Sequence, residues 1–112
     1  MKIYHNPRCA KSRQTLALLQ ENGVEPEIVL YLKTTPTVEA LKSLVSKLGI
    51  RPLQLIRKGE PAWKENFKEK DLSDDEILSA MVAYPKLIER PIVVKGQKAV
   101  LGRPPENVLE FI

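Results

Sequence analysis

Along the first third of the chain, apolar and polar positions alternate in a way that predicts a strand, a helix and a second strand. Lys2-Ile3-Tyr4 is short, β-branched and aromatic, and it stops at Asn6-Pro7, which is typical of a strand followed by a loop. Good helix formers fill residues 10–22, and Asn22-Gly23 supplies a left-handed stop. The near-continuous apolar run 27–32 predicts a strand that is buried on both faces. This order is a βαβ unit, with parallel pairing and a right-handed crossover.

The middle of the chain predicts helices. Thr37 can cap a helix whose apolar positions follow the 3.6-residue period. Pro52 suits the first turn of a shorter helix, which we expect to end near Arg57-Lys58-Gly59. Ser73-Asp74-Asp75-Glu76 has the spacing of a capping box and begins another helix, which must end before Pro85.

The last quarter returns to strands. Two apolar stretches flank Lys95-Gly96, which is the pattern of a β-hairpin, and Pro104-Pro105-Glu106 begins a terminal helix. The order is β-α-β, a helical block, and β-β-α. We therefore expect one α/β domain over residues 1–112, with a four-stranded mixed sheet covered by helices and a helical insertion at about 37–88.

Composition narrows the class of protein. The chain has 112 residues, of which 43% are hydrophobic, and no apolar run approaches the roughly 20 residues that span a bilayer. Its first residues lack the apolar segment of a secretory signal, and its one cysteine agrees with a reducing compartment. We therefore expect a cytoplasmic protein with no membrane partner. Disulfide staples and cysteine-rich zinc sites are excluded by the cysteine count.

The charge favours anionic partners. The net charge is +4, and the 18 lysines and arginines are scattered and mostly interleaved with acids, as in residues 64–71, which we interpret as a solvated face. No basic stripe with interleaved aromatic residues is present, so a nucleic-acid partner is not expected.

One stretch, His5-Asn6-Pro7-Arg8-Cys9-Ala10-Lys11-Ser12-Arg13, holds both the only histidine and the only cysteine. Cys9 falls where the first strand has ended and the helix begins, where unpaired amide N–H groups and the helix dipole stabilise a thiolate. The Ser12 hydroxyl, one turn later, could donate to the sulfur, and Arg13 could also lie near it. Because helix N-termini also bind anions, this place can hold an oxyanion against a nucleophile.

Two interpretations of Cys9 compete. A lone cysteine is often a small buried hydrophobe, but the polar and basic neighbours here favour a reactive thiol. His5 is either a structural histidine or a tuner of that thiol. One histidine and one cysteine cannot fill a tetrahedral shell, so no metal site is expected. Ser12 stands where a Cys-x-x-Cys pair would have its second cysteine, so a redox cycle must take its second thiol from outside the chain.

From Ile3 to about Phe111 the chain resembles the glutaredoxin-linked arsenate reductases, a branch of the thioredoxin-like superfamily. The resemblance rests on five stretches in this order: residues 3–9 with Ser12-Arg13, Leu30-Tyr31-Leu32, Leu55-Ile56-Arg57-Lys58, Glu89-Arg90-Pro91-Ile92-Val93-Val94, and Gly102-Arg103-Pro104. It implies a thioredoxin-like fold with a cis-proline at Pro91 that faces the cysteine, which would bring Arg90 beside Cys9.

The resemblance also implies a chemistry. The cysteine matching Cys9 attacks arsenate and forms a covalent thiol–arsenate ester, with His5 and Ser12 beside the thiol. Glutathione then attacks the adduct, a glutaredoxin removes the glutathione, and arsenite is the product. No bound cofactor is implied, glutathione being a co-substrate, and we expect a monomer. Three arginines hold and neutralise the oxyanion in such enzymes, and their counterparts here are Arg57, Arg90 and Arg103.

Two other functions stay open at this point. Transcription regulators related to this family use the same fold as an adaptor that binds RNA polymerase, although Ser12 removes the Cys-x-x-Cys switch that many of them carry. A monothiol transferase acting on glutathione mixed disulfides is the other alternative. It would not need three arginines converging on the sulfur.

Overall fold

A computed structural model describes residues 1–112 and contains a four-stranded mixed sheet. Its strands are β1 (Lys2–Tyr4), β2 (Glu27–Val29), β3 (Ile92–Lys95) and β4 (Lys98–Leu101). They lie in the order β2-β1-β3-β4, where β1 pairs with β2 in parallel and the other two pairings are antiparallel. The α/β class and the mixed four-stranded sheet predicted from the sequence are thereby confirmed.

Four α-helices and three short 3-10 helices complete the structure. The α-helices are α1 (Ala10–Glu21), α2 (Val38–Leu48), α3 (Pro61–Asn66) and α4 (Asp74–Ala83). The 3-10 helices are Pro52–Leu55, Pro85–Leu87 and Pro105–Phe111. None of these helices combines the length and the apolar character needed to cross a bilayer. The sequence pattern predicted α1, α2 and α4 but not α3.

The chain divides into two compact units. The first comprises Met1–Thr34 and Arg90–Ile112, and it contains the whole sheet, α1 and the terminal 3-10 helix. The second comprises Thr35–Glu89 and is helical. That the two make up one domain with a helical insertion stays a prediction.

The core of the first unit lies between the sheet and the helices on it. Ile3 of β1, Val93 of β3 and Leu19 of α1 are fully buried together with Val108 of the terminal 3-10 helix, and Phe111 closes the cluster. Burying a side chain of this size contributes about 1.5–3 kcal/mol. This packing holds α1 against β1 and β3.

Local signals define the helices of the second unit. Thr37 Oγ1 accepts a hydrogen bond of 3.1 Å from the Ala40 N–H at the start of α2, and Gly49 ends that helix with a φ of 69°. Ser73 and Glu76 form the predicted capping box at the start of α4. Capping of this kind contributes about 1 kcal/mol per helix.

The prediction for β2 was wrong in its length and its burial. The strand ends at Val29, and Ile28 is 46% exposed, because β2 is an edge strand of the sheet. The chain then turns at Leu30, whose carbonyl accepts hydrogen bonds from the Lys33 and Thr34 amides. Within the predicted apolar run 27–32, the fully buried residue is Tyr31, which lies in this turn.

Two further boundaries differ from the sequence pattern. The hairpin turns at Gly96-Gln97, one residue later than predicted, because Lys95 pairs with Lys98 in the ladder and Gly96 takes a φ of 61°. The helix at Pro52 is a 3-10 helix that ends at Leu55, because Ile56 forms a β-bridge with Ile88.

Candidate active site

The sheet brings the polar segments of the first unit to one edge. β1 and β2 are parallel, β3 is antiparallel to β1, and β4 is antiparallel to β3. The carboxyl ends of β1, β2 and β4 and the amino end of β3 therefore lie along the same side of the sheet, which is this edge. Cys9 follows β1 at that edge, Arg90-Pro91 precedes β3, and Gly102-Arg103 follows β4. The topology thus assembles residues that are up to 94 positions apart.

Cys9 is the N-cap residue of α1, and it is only 8% exposed. Burial raises the pKa of the Cys9 thiol, but the Ser12 N–H, the Arg90 charge, the Lys11 N–H and the Arg103 charge lower it more, so the net shift is downward. Amide N–H groups of the first helical turn have no partner within the helix, and here they stabilise a thiolate. Cys9 is therefore a buried but acidic thiol, which favours the reactive interpretation.

Arg103 lies against both the cysteine and Arg90. Its Nη1 donates to the Arg90 carbonyl oxygen at 3.3 Å and lies 4.0 Å from Cys9 Sγ. The peptide bond between Arg90 and Pro91 is cis, as the resemblance implied, and the bond between Arg103 and Pro104 is also cis. Two of the three predicted arginines thus act on the cysteine.

Gly102 allows the loop that carries Arg103 to approach α1. A Cβ on Gly102 would lie 2.5 Å from Thr15 Oγ1 and 2.8 Å from Pro91 Cγ, so no larger side chain fits without displacement. The Gly102 amide donates to the Pro91 carbonyl at 2.9 Å. Thr15 Oγ1 lies 3.3 Å from the Gly102 carbonyl oxygen and 2.8 Å from that of Lys11.

Asn107 holds the same loop from the other side. Its Nδ2 donates to the carbonyl oxygens of Leu101, at 3.1 Å, and of Arg103, at 3.2 Å. Sequence reasoning did not identify Thr15 or Asn107, because their contacts with the backbone of this loop form only in the folded chain. Gly102 was quoted in the resemblance, but the contact that requires a glycine became visible only in the structure.

His5 and Ser12 form a buried pair beneath the loop. His5 Nδ1 and Ser12 Oγ are 2.6 Å apart, and the Asn6 amide donates to the same oxygen at 3.0 Å. Burial, and then the positive charge of Arg13, lower the pKa of His5, so the ring is neutral at neutral pH. The Ser12 hydroxyl is in contact with His5 and Asn6, and its donation to Cys9 stays a prediction. Ser12 acts on the thiol through its backbone N–H.

The Arg13 side chain forms a hydrogen bond to the loop between β1 and Cys9. Its Nη1 donates to the Pro7 carbonyl oxygen at 2.9 Å, and its side chain is otherwise exposed. A direct effect of Arg13 on the thiol stays a prediction.

Arg57 belongs to the second unit and is held by two carboxylates that sequence reasoning missed. Its Nη1 is 2.7 Å from Glu60 Oε1, and its Nε is 3.6 Å from Glu89 Oε1. Its backbone amide donates to the Leu87 carbonyl at 2.8 Å. A role for Arg57 in oxyanion binding stays a prediction. No group of three or more His, Cys, Asp or Glu side chains in the structure could hold a metal ion.

The sequence and the structure of the chain are both similar to those of known proteins. Residues 4–111 match the model of the ArsC family. The chain is 54% identical to an uncharacterized Escherichia coli protein, YfgD, covering 100% of this chain and 96% of that one. It is 48% identical to an arsenate reductase of Haemophilus influenzae, covering 98% and 97%. A solved structure of an arsenate reductase from Vibrio cholerae superposes with a TM-score of 0.94 at 50% identity, covering 99% of this chain and 96% of that chain. These likenesses confirm the thioredoxin-like fold.

Proposed function

The chain belongs to the ArsC family, and on that premise we propose that it is an arsenate reductase with Cys9 as its nucleophile. The observation that carries this proposal is the Arg103 guanidinium 4.0 Å from the Cys9 sulfur, beside a thiol whose pKa is lowered. A thiolate and an arsenate anion repel each other. A site for their reaction therefore needs positive charge that serves both, and planar guanidinium groups bind tetrahedral oxyanions through paired hydrogen bonds.

In the first step the Cys9 thiolate attacks arsenic. A sulfur–arsenic bond forms, and one arsenate oxygen leaves as water after taking up protons, while arsenic stays in its +5 state. Arg90 and Arg103 neutralise the remaining oxygens, whose charge grows as the sulfur approaches. We propose Arg57 as a third oxyanion-binding residue on the basis of the family resemblance alone. His5, Ser12 and Arg13 are proposed to tune the thiol.

The reduction itself needs two further thiols, because the chain has one cysteine. We propose that glutathione attacks the adduct and bonds to arsenic through its sulfur, releasing a second water. A glutaredoxin thiol then attacks that glutathione sulfur and forms a mixed disulfide, and the bonding electron pair passes to arsenic. Water finally displaces Cys9 and arsenite leaves. In sum, arsenic gains two electrons, two external thiols become one disulfide, and one water molecule is released net.

This cycle is suited to a reducing compartment such as the cytosol, in which glutathione is kept as the thiol. We propose that the chain acts as a monomer, since the thiol and the two arginines of the first unit come from one chain.

A coupled assay tests the proposal. NADPH consumption is followed with arsenate, glutathione, glutathione reductase and glutaredoxin, for the wild type and for Cys9→Ser. We expect turnover by the wild type and a loss of at least about a thousandfold in Cys9→Ser, because a serine hydroxyl is not ionised at neutral pH. Ser79→Ala, an exposed residue of α4, is the matched control and should keep full activity. Comparable rates in wild type and Cys9→Ser would overturn the assignment of Cys9.

A further inference from the structure

A cavity of about 410 Å³ adjoins the segment that leads into Cys9. Its walls come from the loop after β1, residues 5–8, and from the turn after β2, where Leu30, Leu32 and Lys33 line it. A volume of this order accommodates a small organic ligand rather than a single oxyanion. The cavity has no part in the oxyanion binding proposed above.

The order of the strands separates this cavity from the arginines. β1 lies between β2 and β3, and the cavity is on the β2 side of the loop that follows β1. Arg90 and Arg103 belong to the β3 and β4 side. The Cys9 loop is thus flanked by an oxyanion site on one side and by the cavity on the other.

The lining of the cavity is cationic and partly apolar. Arg8 and Lys33 are both exposed cations, and no acidic side chain lines the cavity. Leu30 and Leu32 supply an apolar wall, and Leu32 is 38% exposed. This combination favours a ligand that carries carboxylates on a partly apolar frame.

His5 adds a ring nitrogen to the same cavity. Ser12 is fully buried, and its oxygen accepts from the Asn6 amide and lies 2.6 Å from His5 Nδ1. Nδ1 is therefore directed at Ser12, and Nε2 is the other polar atom of the ring. His5 is 6% exposed and lines the cavity, so Nε2 is the polar atom that it can offer to a ligand.

We propose that this cavity binds glutathione noncovalently, with its carboxylates at Arg8 and Lys33 and a polar group of its peptide frame at His5 Nε2. The proposal rests on the proposed function, which requires a small thiol beside the Cys9 adduct. Glutathione, with two carboxylates on a short peptide frame, satisfies the donors that line the cavity, and its position would present the thiol from the β2 side.

Binding can be measured without turnover by using S-methylglutathione, which keeps both carboxylates but has no free thiol. Titration of the wild-type protein, followed by NMR amide shifts, should saturate and should perturb residues 5–8 and 30–33. Lys33→Glu and Arg8→Glu should each weaken the affinity by about fivefold or more, because each reverses a cationic partner. Lys98→Glu is the matched control, an exposed lysine at the opposite edge of the sheet, and should bind as the wild type does.

The diethyl ester of S-methylglutathione, which lacks both carboxylate charges, should not bind. Absence of saturable shifts, shifts centred on Arg90 and Arg103, or equal affinity in Lys33→Glu would each overturn the cavity assignment. In the coupled assay, Lys33→Glu should raise the KM for glutathione and leave that for arsenate unchanged. Arsenate turnover without S-methylglutathione binding would contradict only the glutathione site. Binding without arsenate turnover would contradict only the proposed arsenate reductase activity.

Discussion

The Thr15 side chain and the Gly102 backbone are in direct contact, next to the residue that places its guanidinium against Cys9. Thr15 is fully buried on the inner face of α1, one turn after Ser12, and its hydroxyl lies 3.3 Å from the Gly102 carbonyl oxygen. Because Arg103 follows Gly102 directly, the contact between α1 and this loop positions the backbone from which the Arg103 side chain extends. The electrostatic environment of Cys9 thus depends on a residue that carries no charge.

Gly102→Ala should disturb this arrangement. The new methyl group would overlap Thr15 and Pro91, so the loop must move, at a cost of about 1–3 kcal/mol in the free energy of unfolding. Displacement of Arg103 should also raise the pKa of Cys9, which can be followed as the pH dependence of alkylation by iodoacetamide. Gly59→Ala is the control, since a Cβ there meets nothing within 4 Å. An alkylation profile identical to that of the wild type would contradict the role given to Gly102.

Arg103→Ala tests the charge itself. Because Arg103 is one of the groups that lower the pKa of Cys9, its removal should raise that pKa. Alkylation should then be slower at pH values below the ordinary pKa of a thiol. We also expect kcat/KM for arsenate to fall by about 10–100-fold through loss of an oxyanion donor.

The controls for Arg103→Ala separate charge from general disturbance. Arg103→Lys keeps the charge and should restore part of the alkylation rate, though less of the arsenate turnover, because lysine lacks the planar fork of arginine. Arg51→Ala removes an exposed arginine that pairs with Asp74. If Arg103→Ala and Arg51→Ala gave the same alkylation profile, Arg103 would have no influence on the sulfur.

Sequence pattern predicted the elements better than their boundaries. The pattern of β1, α1 and the hairpin is local, and so is the capping box of α4, so these were found. The edge position of β2 depends on which strands pair, and a run of six apolar residues cannot report that. The same limit applies to Ser12. One turn of helix places its hydroxyl near Cys9, but its contacts with His5 and Asn6 are determined only by the fold.

For the site, the residue types were visible but most of their partners were not. The stretch around Cys9 shows a thiol at a helix N-terminus, which is a local feature. Arg90 and Arg103 were assigned through the family resemblance, since no spacing argument brings positions so far apart to one sulfur. The contacts of Thr15 and Asn107 with backbone carbonyls left no signature, because a threonine within a helix and an asparagine near a proline are ordinary in many surroundings.

Stability should fall in mild acid because of His5. Burial lowers the pKa of His5 below its value in the unfolded chain, so below that unfolded pKa the unfolded state binds more protons. The stabilisation is therefore complete above the unfolded pKa of about 6.5 and is lost as the pH falls toward the folded pKa. One proton limits the slope to about 1.4 kcal/mol per pH unit.

Urea unfolding at pH 7.5 and pH 5.5 measures this effect. The wild type should lose stability between the two values, and His5→Gln, which has no titrating group there, should lose less. Ser12→Ala should cost about 1–3 kcal/mol at pH 7.5, because it leaves the Asn6 amide without its acceptor, whereas Ser79→Ala on the exposed face of α4 should cost little. Equal pH dependence in wild type and His5→Gln would exclude His5 as the source.

Comparison of two substrates distinguishes the reductase from a monothiol transferase. Both reactions need the Cys9 thiolate, but only arsenate needs a site for a tetrahedral oxyanion, so Arg90→Ala should reduce arsenate turnover far more than reduction of a glutathione mixed disulfide. Hydroxyethyl disulfide preincubated with glutathione supplies that second substrate, in the same NADPH-coupled assay. A protein that reduces the mixed disulfide but not arsenate would be a transferase, and equal loss of both activities in Arg90→Ala would contradict a specific role of Arg90 with arsenate. Recovery of RNA polymerase in a pull-down, with neither substrate turned over, would instead favour the adaptor.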